Sequence, residues 1–314
     1  MIFNPPKLLS NRHIQTLHSS FVKPNHNLNF EIEEFRLSDG DFVDCYWLDR
    51  DKSNNIVILF HGLSGSYRSS YIQNSMKALS QNGFSCVLMH FRGCSGRMNT
   101  LARAYHSGDT GDATEWIKEL QKRYPKANIH LIGFSLGANM LLKLLGTTDQ
   151  SFASAIAISP PIDLALSANR IDQGFSKLYQ YKMIQSLNRF LLKKYKKHDY
   201  EKLINLKKEK VHQIKTFWEF DELYTAPIHG FHSASHYYDE SSALHYLGNI
   251  QTPTLLIMAQ DDPVTHIDFV PKNISNTIQV ELYPKGGHVG FITGSLLKPE
   301  YWLEKRIIDY LKKF

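Results

Sequence analysis

The chain has 314 residues, of which 42% are hydrophobic and 12% aromatic, enough for a large core and against disorder. Its net charge of +6 is concentrated, because eight lysines against three acids (Asp199, Glu201, Glu209) fall between Lys193 and Lys210. That leaves the remainder nearly neutral, and with no zinc-finger spacing or RNA-binding aromatic signature it argues against a nucleic-acid partner.

The first elements are two alternating runs, Asn29 to Leu37 and Phe42 to Leu48, joined around Ser38-Asp39-Gly40 as in a hairpin. The period then switches to β–α units: strand Ile56 to Phe60, helix Ser70 to Gln81 closed by Asn82-Gly83, strand Phe84 to His90. The helix predicted over Asp109 to Tyr124 carries Asp109 and Asp112 early and Lys122 and Arg123 late, charges arranged with its dipole. Strand Ile129 to Ile132, a helix to Gly146 and a buried strand Ala153 to Ser159 follow, the last stopped by Pro160-Pro161. The rhythm breaks over 163–250, which is rich in lysine and aromatics, helical in pattern at first and irregular after Trp218. An insertion of that size between core strands reads as a cap over 1–162 and 251–314. The β–α pattern resumes with strands Thr254 to Ala259 and Ile278 to Tyr283 and closes with helix Glu300 to Lys313.

Between the strand at 129–132 and the helix after it lies Gly133-Phe134-Ser135-Leu136-Gly137. A strand, a tight turn with glycine two positions either side of a serine, then a helix, is a construction that exposes one hydroxyl. Side chains at the glycine positions would strike the backbone, and the helix N-terminus brings unpaired N–H groups and partial positive charge. Two partners stand at the ends of later predicted strands: Asp261-Asp262-Pro263 after Ala259, and His288 after Tyr283. In an open parallel sheet these strand ends share one rim. Ser135 is the candidate nucleophile, His288 the candidate base, and an aspartate the group that orients it. Asp262 is favoured over Asp261, because the residue before proline is held extended. His61-Gly62-Leu63-Ser64-Gly65, after strand 56–60, offers a backbone N–H to an oxyanion, so Leu63 and Leu136 are the candidate donors.

Other groups read as structural. Cys94, in Arg92-Gly93-Cys94-Ser95-Gly96, has no elbow around it, and His229, His232 and His236 match no zinc spacing. The cap aromatics Phe175, Tyr179, Tyr181, Phe190 and Tyr195 are expected to pack the cap rather than line an acyl tunnel. The lysines of 193–210 read as a solvated face, with weak contact to an anionic membrane surface as the alternative. Cys45, Cys86 and Cys94 are too sparse for a disulfide framework and read as reduced thiols. The start has no signal-peptide pattern, and no run approaches the ~20 apolar residues of a membrane span. A soluble, cytoplasmic protein is the expectation.

The chain resembles the YheT-like branch of the α/β-hydrolase superfamily along almost its whole length. The specific marks are Asn11-Arg12-His13-Ile14-Gln15-Thr16, His61-Gly62, Phe91-Arg92-Gly93-Cys94-Ser95-Gly96 and the Ser135 pentapeptide. Phe220-Asp221, Thr225-Ala226-Pro227, Tyr237-Tyr238, Asp261-Asp262-Pro263 and Gly287-His288-Val289-Gly290-Phe291 complete them. The resemblance implies an eight-stranded, mostly parallel sheet flanked by helices with an inserted helical cap. It also implies no cofactor, a triad of Ser135, Asp262 and His288, and hydrolysis of carboxylic esters. Short- to medium-chain acyl esters are the expected substrates. Acyl transfer to an alcohol, or a catalytically idle binding module, remain as alternatives, and the Asn11 to Thr16 segment has no role that the sequence assigns.

Overall fold

Strands 55–60, 128–134, 154–158 and 254–259 are nearly all apolar, the pattern of strands covered on both faces. The computed structural model describes residues 3–21, 26–265, 273–295 and 298–314. In chain order these form α1 (Arg12–Phe21), β1 (Glu31–Arg36), β2 (Phe42–Leu48), β3 (Asn55–Phe60), α2 (Ser70–Gln81) and β4 (Ser85–Met89). Next come α3 (Gly111–Arg123), β5 (Asn128–Phe134), α4 (Leu136–Thr147) and β6 (Ser154–Ile158). Seven helices then precede the next strand: α5 (Leu164–Ile171), α6 (Ser176–Lys194), α7 (Tyr200–Ile204), α8 (Lys208–Val211), α9 (Phe217–Phe220), α10 (Ala226–Ile228) and α11 (Ala234–Ser241). The chain closes with β7 (Thr254–Ala259), β8 (Ile278–Tyr283), β9 (Ile292–Gly294), β10 (Pro299–Tyr301) and α12 (Trp302–Leu311).

Eight strands make one sheet in the order β1-β2-β4-β3-β5-β6-β7-β8. β2 is antiparallel to both its neighbours, and β3 to β8 run parallel. Side-chain alternation sorts the apolar residues into two layers. Ile56, Ile58, Leu131, Ala157 and Leu256 face α3 and α4, whereas Val57, Leu59, Ile132, Ile156 and Ile257 face α2 and α12. A one-residue slip in any of these strands would exchange its two faces. The strand order reverses at β3, which lies between β4 and β5, so the crevice beyond the C-terminal ends of β3 and β5 is where a ligand fits.

Three expectations need correction. The segment after Trp218 is not irregular, because Thr216 and Glu219 form a capping box that starts α9. A π-turn, Asp221–Thr225, carries the helix on to α10, and Ser233 caps α11. The closing helix starts at Trp302, since Pro299–Tyr301 pairs with Ile292–Gly294 as a short hairpin. The lysines of 193–210 are not all solvated. Lys194 is 1% exposed, donates to Asn99 Oδ1 at 2.7 Å and the Leu101 carbonyl at 2.6 Å, and burial lowers its pKa to about 8. Asn99 in turn donates to Asp41, and Arg92 of the Arg-Gly-Cys-Ser-Gly string forms a two-pronged pair with Asp112. Lys194 therefore fastens α6 to the loop between β4 and α3, and Arg92 ties the start of that loop to α3. No helix among the described residues is long and apolar enough to cross a membrane.

Candidate active site

Ser135 sits at φ +51°, ψ −117°, between the end of β5 and the start of α4. A non-glycine residue there is strained by roughly 1–3 kcal/mol, which the surrounding packing must hold. The packing leaves no slack: a Cβ on Gly133 would lie 2.5 Å from the Gly137 carbonyl oxygen, and one on Gly137 would lie 2.5 Å from that of His61. Both glycines are required by close approach of backbone to backbone.

The side chains of Ser135, His288 and Asp262 form one hydrogen-bonded line. Asp262 Oδ2 lies 2.8 Å from His288 Nδ1, and His288 Nε2 lies 2.8 Å from Ser135 Oγ. With its proton on Nδ1, the imidazole donates to the carboxylate and accepts from the serine hydroxyl. Asp262 is 3% exposed, and its second oxygen accepts the backbone N–H groups of Val264 at 2.7 Å and Thr265 at 3.0 Å. Those bonds fix its pose. Asp261 faces elsewhere: it accepts the Gly287 N–H at 3.0 Å, and burial raises its pKa.

Around the β3 turn the neighbouring N–H groups are engaged. Gly62 donates to the Tyr71 hydroxyl, Ser64 to the Tyr105 hydroxyl and Gly65 to the Gly62 carbonyl. The N–H groups of Leu63 and Leu136 have no partner among the described residues, and both residues border the space in front of Ser135. His61 is structural. It is fully buried, lies 2.7 Å from the Gly62 carbonyl, accepts the Phe91 N–H at 3.1 Å, and burial with the nearby His90 lowers its pKa to about 3.

The loop carrying His288 is held by residues to which the sequence gave no role. Asn11 caps α1 by accepting the N–H of His13 at 2.8 Å, which sets Gln15 and Thr16 against the loop. Thr16 Oγ1 accepts the His288 N–H at 2.9 Å. Gln15, fully buried, donates to the Leu9 and Ile292 carbonyls and accepts the Ile292 N–H. Gly287 and Gly290 permit this contact, since a Cβ on either would approach within 2.6 Å of α1 backbone oxygens. The short polar motif was visible, but its partners lie more than 270 residues away, beyond the reach of local pattern.

A cavity of about 840 Å³ opens on Ser135, between the strand ends and the helices of 163–250. Its walls are mostly apolar, with Leu63 and Leu136 beneath and Leu187, Phe190 and Phe220 above. Of the five aromatics singled out in 163–250, Phe190 alone lines it; Phe175 and Tyr181 are exposed, Tyr179 lies beside His13, and Tyr195 donates to the Leu206 carbonyl. Cys94 also borders the cavity, and burial pushes its thiol up to about 12, far from the thiolate a nucleophile needs. The imidazoles of His232 and His236 stack 5.0 Å apart, whereas His229 packs on His106 and bonds the Thr225 carbonyl. Among the described residues no group of three or more metal-ligating side chains comes together.

Comparison with known proteins gives a consistent family assignment. A family model described as alpha/beta hydrolase fold matches residues 55–295. The chain is 38% identical to an Escherichia coli protein named "Putative esterase YheT", over 99% of this chain and 93% of that one. It is 28% identical to a monoacylglycerol lipase of Saccharomyces cerevisiae over 85% of this chain, and spans 61% of that protein's length. An esterase structure from Pyrococcus furiosus superposes with a TM-score of 0.60 at 19% identity, covering 99% of each chain.

Proposed function

We propose that this chain, which belongs to the α/β-hydrolase fold family and is an esterase-type hydrolase, cleaves short- to medium-chain acyl esters with Ser135 as nucleophile. The observation that carries the reading is the unbroken line Asp262–His288–Ser135, with both links at 2.8 Å, at the floor of an apolar cavity.

In the first half-reaction Ser135 Oγ attacks the ester carbonyl carbon while its proton passes to His288 Nε2. Asp262 holds the imidazole in the tautomer that can accept, and stabilises the imidazolium that results. The N–H groups of Leu63 and Leu136 receive the oxyanion as the carbonyl oxygen becomes negative. Collapse breaks the bond to the alcohol oxygen, which leaves with the proton from His288, and the acyl group stays on Ser135. Water then gives a proton to His288 Nε2 as it attacks the acyl carbon, and collapse breaks the bond to Ser135 Oγ, which takes that proton from His288 as the acid leaves. Residues 163–250 act in this reading as a cap that selects the acyl chain over a core of 1–162 and 251–314.

A chain-length series of p-nitrophenyl esters tests the proposal. The purified protein should hydrolyse short and medium chains, and Ser135→Ala should lower turnover by roughly 10⁴-fold or more. A Ser135→Ala protein of undiminished turnover would overturn the assignment.

A further inference from the structure

The cavity above Ser135 is apolar in its body and charged on one side of its rim. Arg189, Lys193, Lys196 and Lys197 all line it. They follow one another at spacings of four, three and one, which sets them on one face of α6 and the turn that continues it. All four are exposed, and among the described residues none has an acidic partner. Other lysines of the same region do: Lys177 faces Asp172 and Lys207 faces Glu201.

A lysine near the end of α6 is favoured by the helix dipole whatever the cavity does. That accounts for Lys193 but not for Arg189, which lies before the last turn and borders the same space. Among the described residues Asp221 is the one acid in the lining, buried at 8% exposure and accepting the Tyr238 hydroxyl at 2.7 Å. The rim therefore presents an uncompensated positive field at the mouth of an apolar channel, and low-dielectric walls concentrate such a field.

We propose that the preferred substrate of this site is an ester with an anionic group, such as a carboxylate or phosphate, at the end of an apolar chain remote from the scissile carbonyl. Arg189, Lys193, Lys196 and Lys197 receive that group while the carbonyl meets Ser135. The inference rests on the ester-hydrolase reading of Ser135 and deepens it by naming the substrate class. The apolar wall sets the length of chain between the two ends, and the rim selects for charge. Because the cations are exposed, salt weakens the selection.

The test compares p-nitrophenyl octanoate with the mono-p-nitrophenyl ester of octanedioic acid, which differs by a terminal carboxylate. Wild type and the Arg189→Gln, Lys193→Gln, Lys196→Gln, Lys197→Gln protein are assayed at low and high salt, with folding checked by circular dichroism. The expected result is that kcat/KM for the charged ester, divided by that for the neutral one, falls about tenfold in the variant. The fall should shrink at high salt. An unchanged ratio, with both esters hydrolysed, overturns the anionic-substrate inference and leaves the esterase reading intact. Hydrolysis of neither ester by wild type overturns the esterase reading itself. Retention by phosphatidylglycerol vesicles is measured alongside. A variant that loses retention but keeps the ratio makes the rim a lipid contact, and the inference falls.

Discussion

The backbone N–H of His288 donates to the hydroxyl of Thr16, 2.9 Å away across 272 residues of sequence. Thr16 in turn donates to the Arg12 carbonyl, so the first helix fixes the height of the imidazole over the sheet rim. Thr16→Val keeps the volume and removes the acceptor, leaving a part-buried N–H without a partner at a cost of about 1–3 kcal/mol. We expect kcat to fall about tenfold with KM little changed, and Thr16→Ser to retain wild-type turnover. A folded Thr16→Val protein with wild-type kcat would remove this role.

The two neighbouring aspartates should separate sharply. Asp262→Asn presents an amide to His288 Nδ1 and favours the wrong tautomer, with an expected loss in kcat of order ~10⁴. Asp261→Asn keeps an oxygen for the Gly287 N–H and should cost less than about tenfold. Steady-state kinetics on one ester decides it, and equal losses would reassign the orienting acid.

Glu304, in the first turn of α12, is 9% exposed, and burial raises its pKa from 4.5 to about 7. The folded state therefore keeps this proton up to about pH 7, whereas the unfolded chain releases it near 4.5. Its stabilising contribution is complete below the lower value and is lost as pH rises through the higher one. Glu304→Gln should melt at the wild-type temperature below pH 4.5 and several degrees higher above pH 7, for a difference of roughly 3 kcal/mol at most. A melting-temperature difference independent of pH would contradict the assignment.

Cys94 borders the cavity with its thiol protonated throughout the neutral range. Cys94→Ala should keep turnover within about threefold of wild type, since the change removes one sulfur from an apolar wall. Loss of activity comparable with that of Ser135→Ala would give the thiol a chemical part.

The parallel strands and the elbow are legible because each rests on local pattern. Val57, Leu59 and their neighbours are apolar on both faces, and the glycines at 133 and 137 mark a strand-to-helix turn with no room for a side chain at either position. Asp262 and His288 stand out by position at predicted strand ends. Two kinds of feature are not legible. Helices α9 to α11 depend on caps at Thr216 and Ser233 and on packing, which outweigh a weak periodicity. Long-range polar contacts such as Gln15 to Ile292 and Lys194 to Asn99 leave no periodic trace, so a buried lysine within a lysine-rich run looks like its exposed neighbours.

The central claim is that Ser135 is the nucleophile, and covalent labelling by a fluorophosphonate tests it most directly. Intact-protein mass spectrometry should find a single adduct on wild type, peptide mapping should locate it at Ser135, and Ser135→Ala should take none. An adduct on another residue, or an undiminished adduct on Ser135→Ala, would contradict the account.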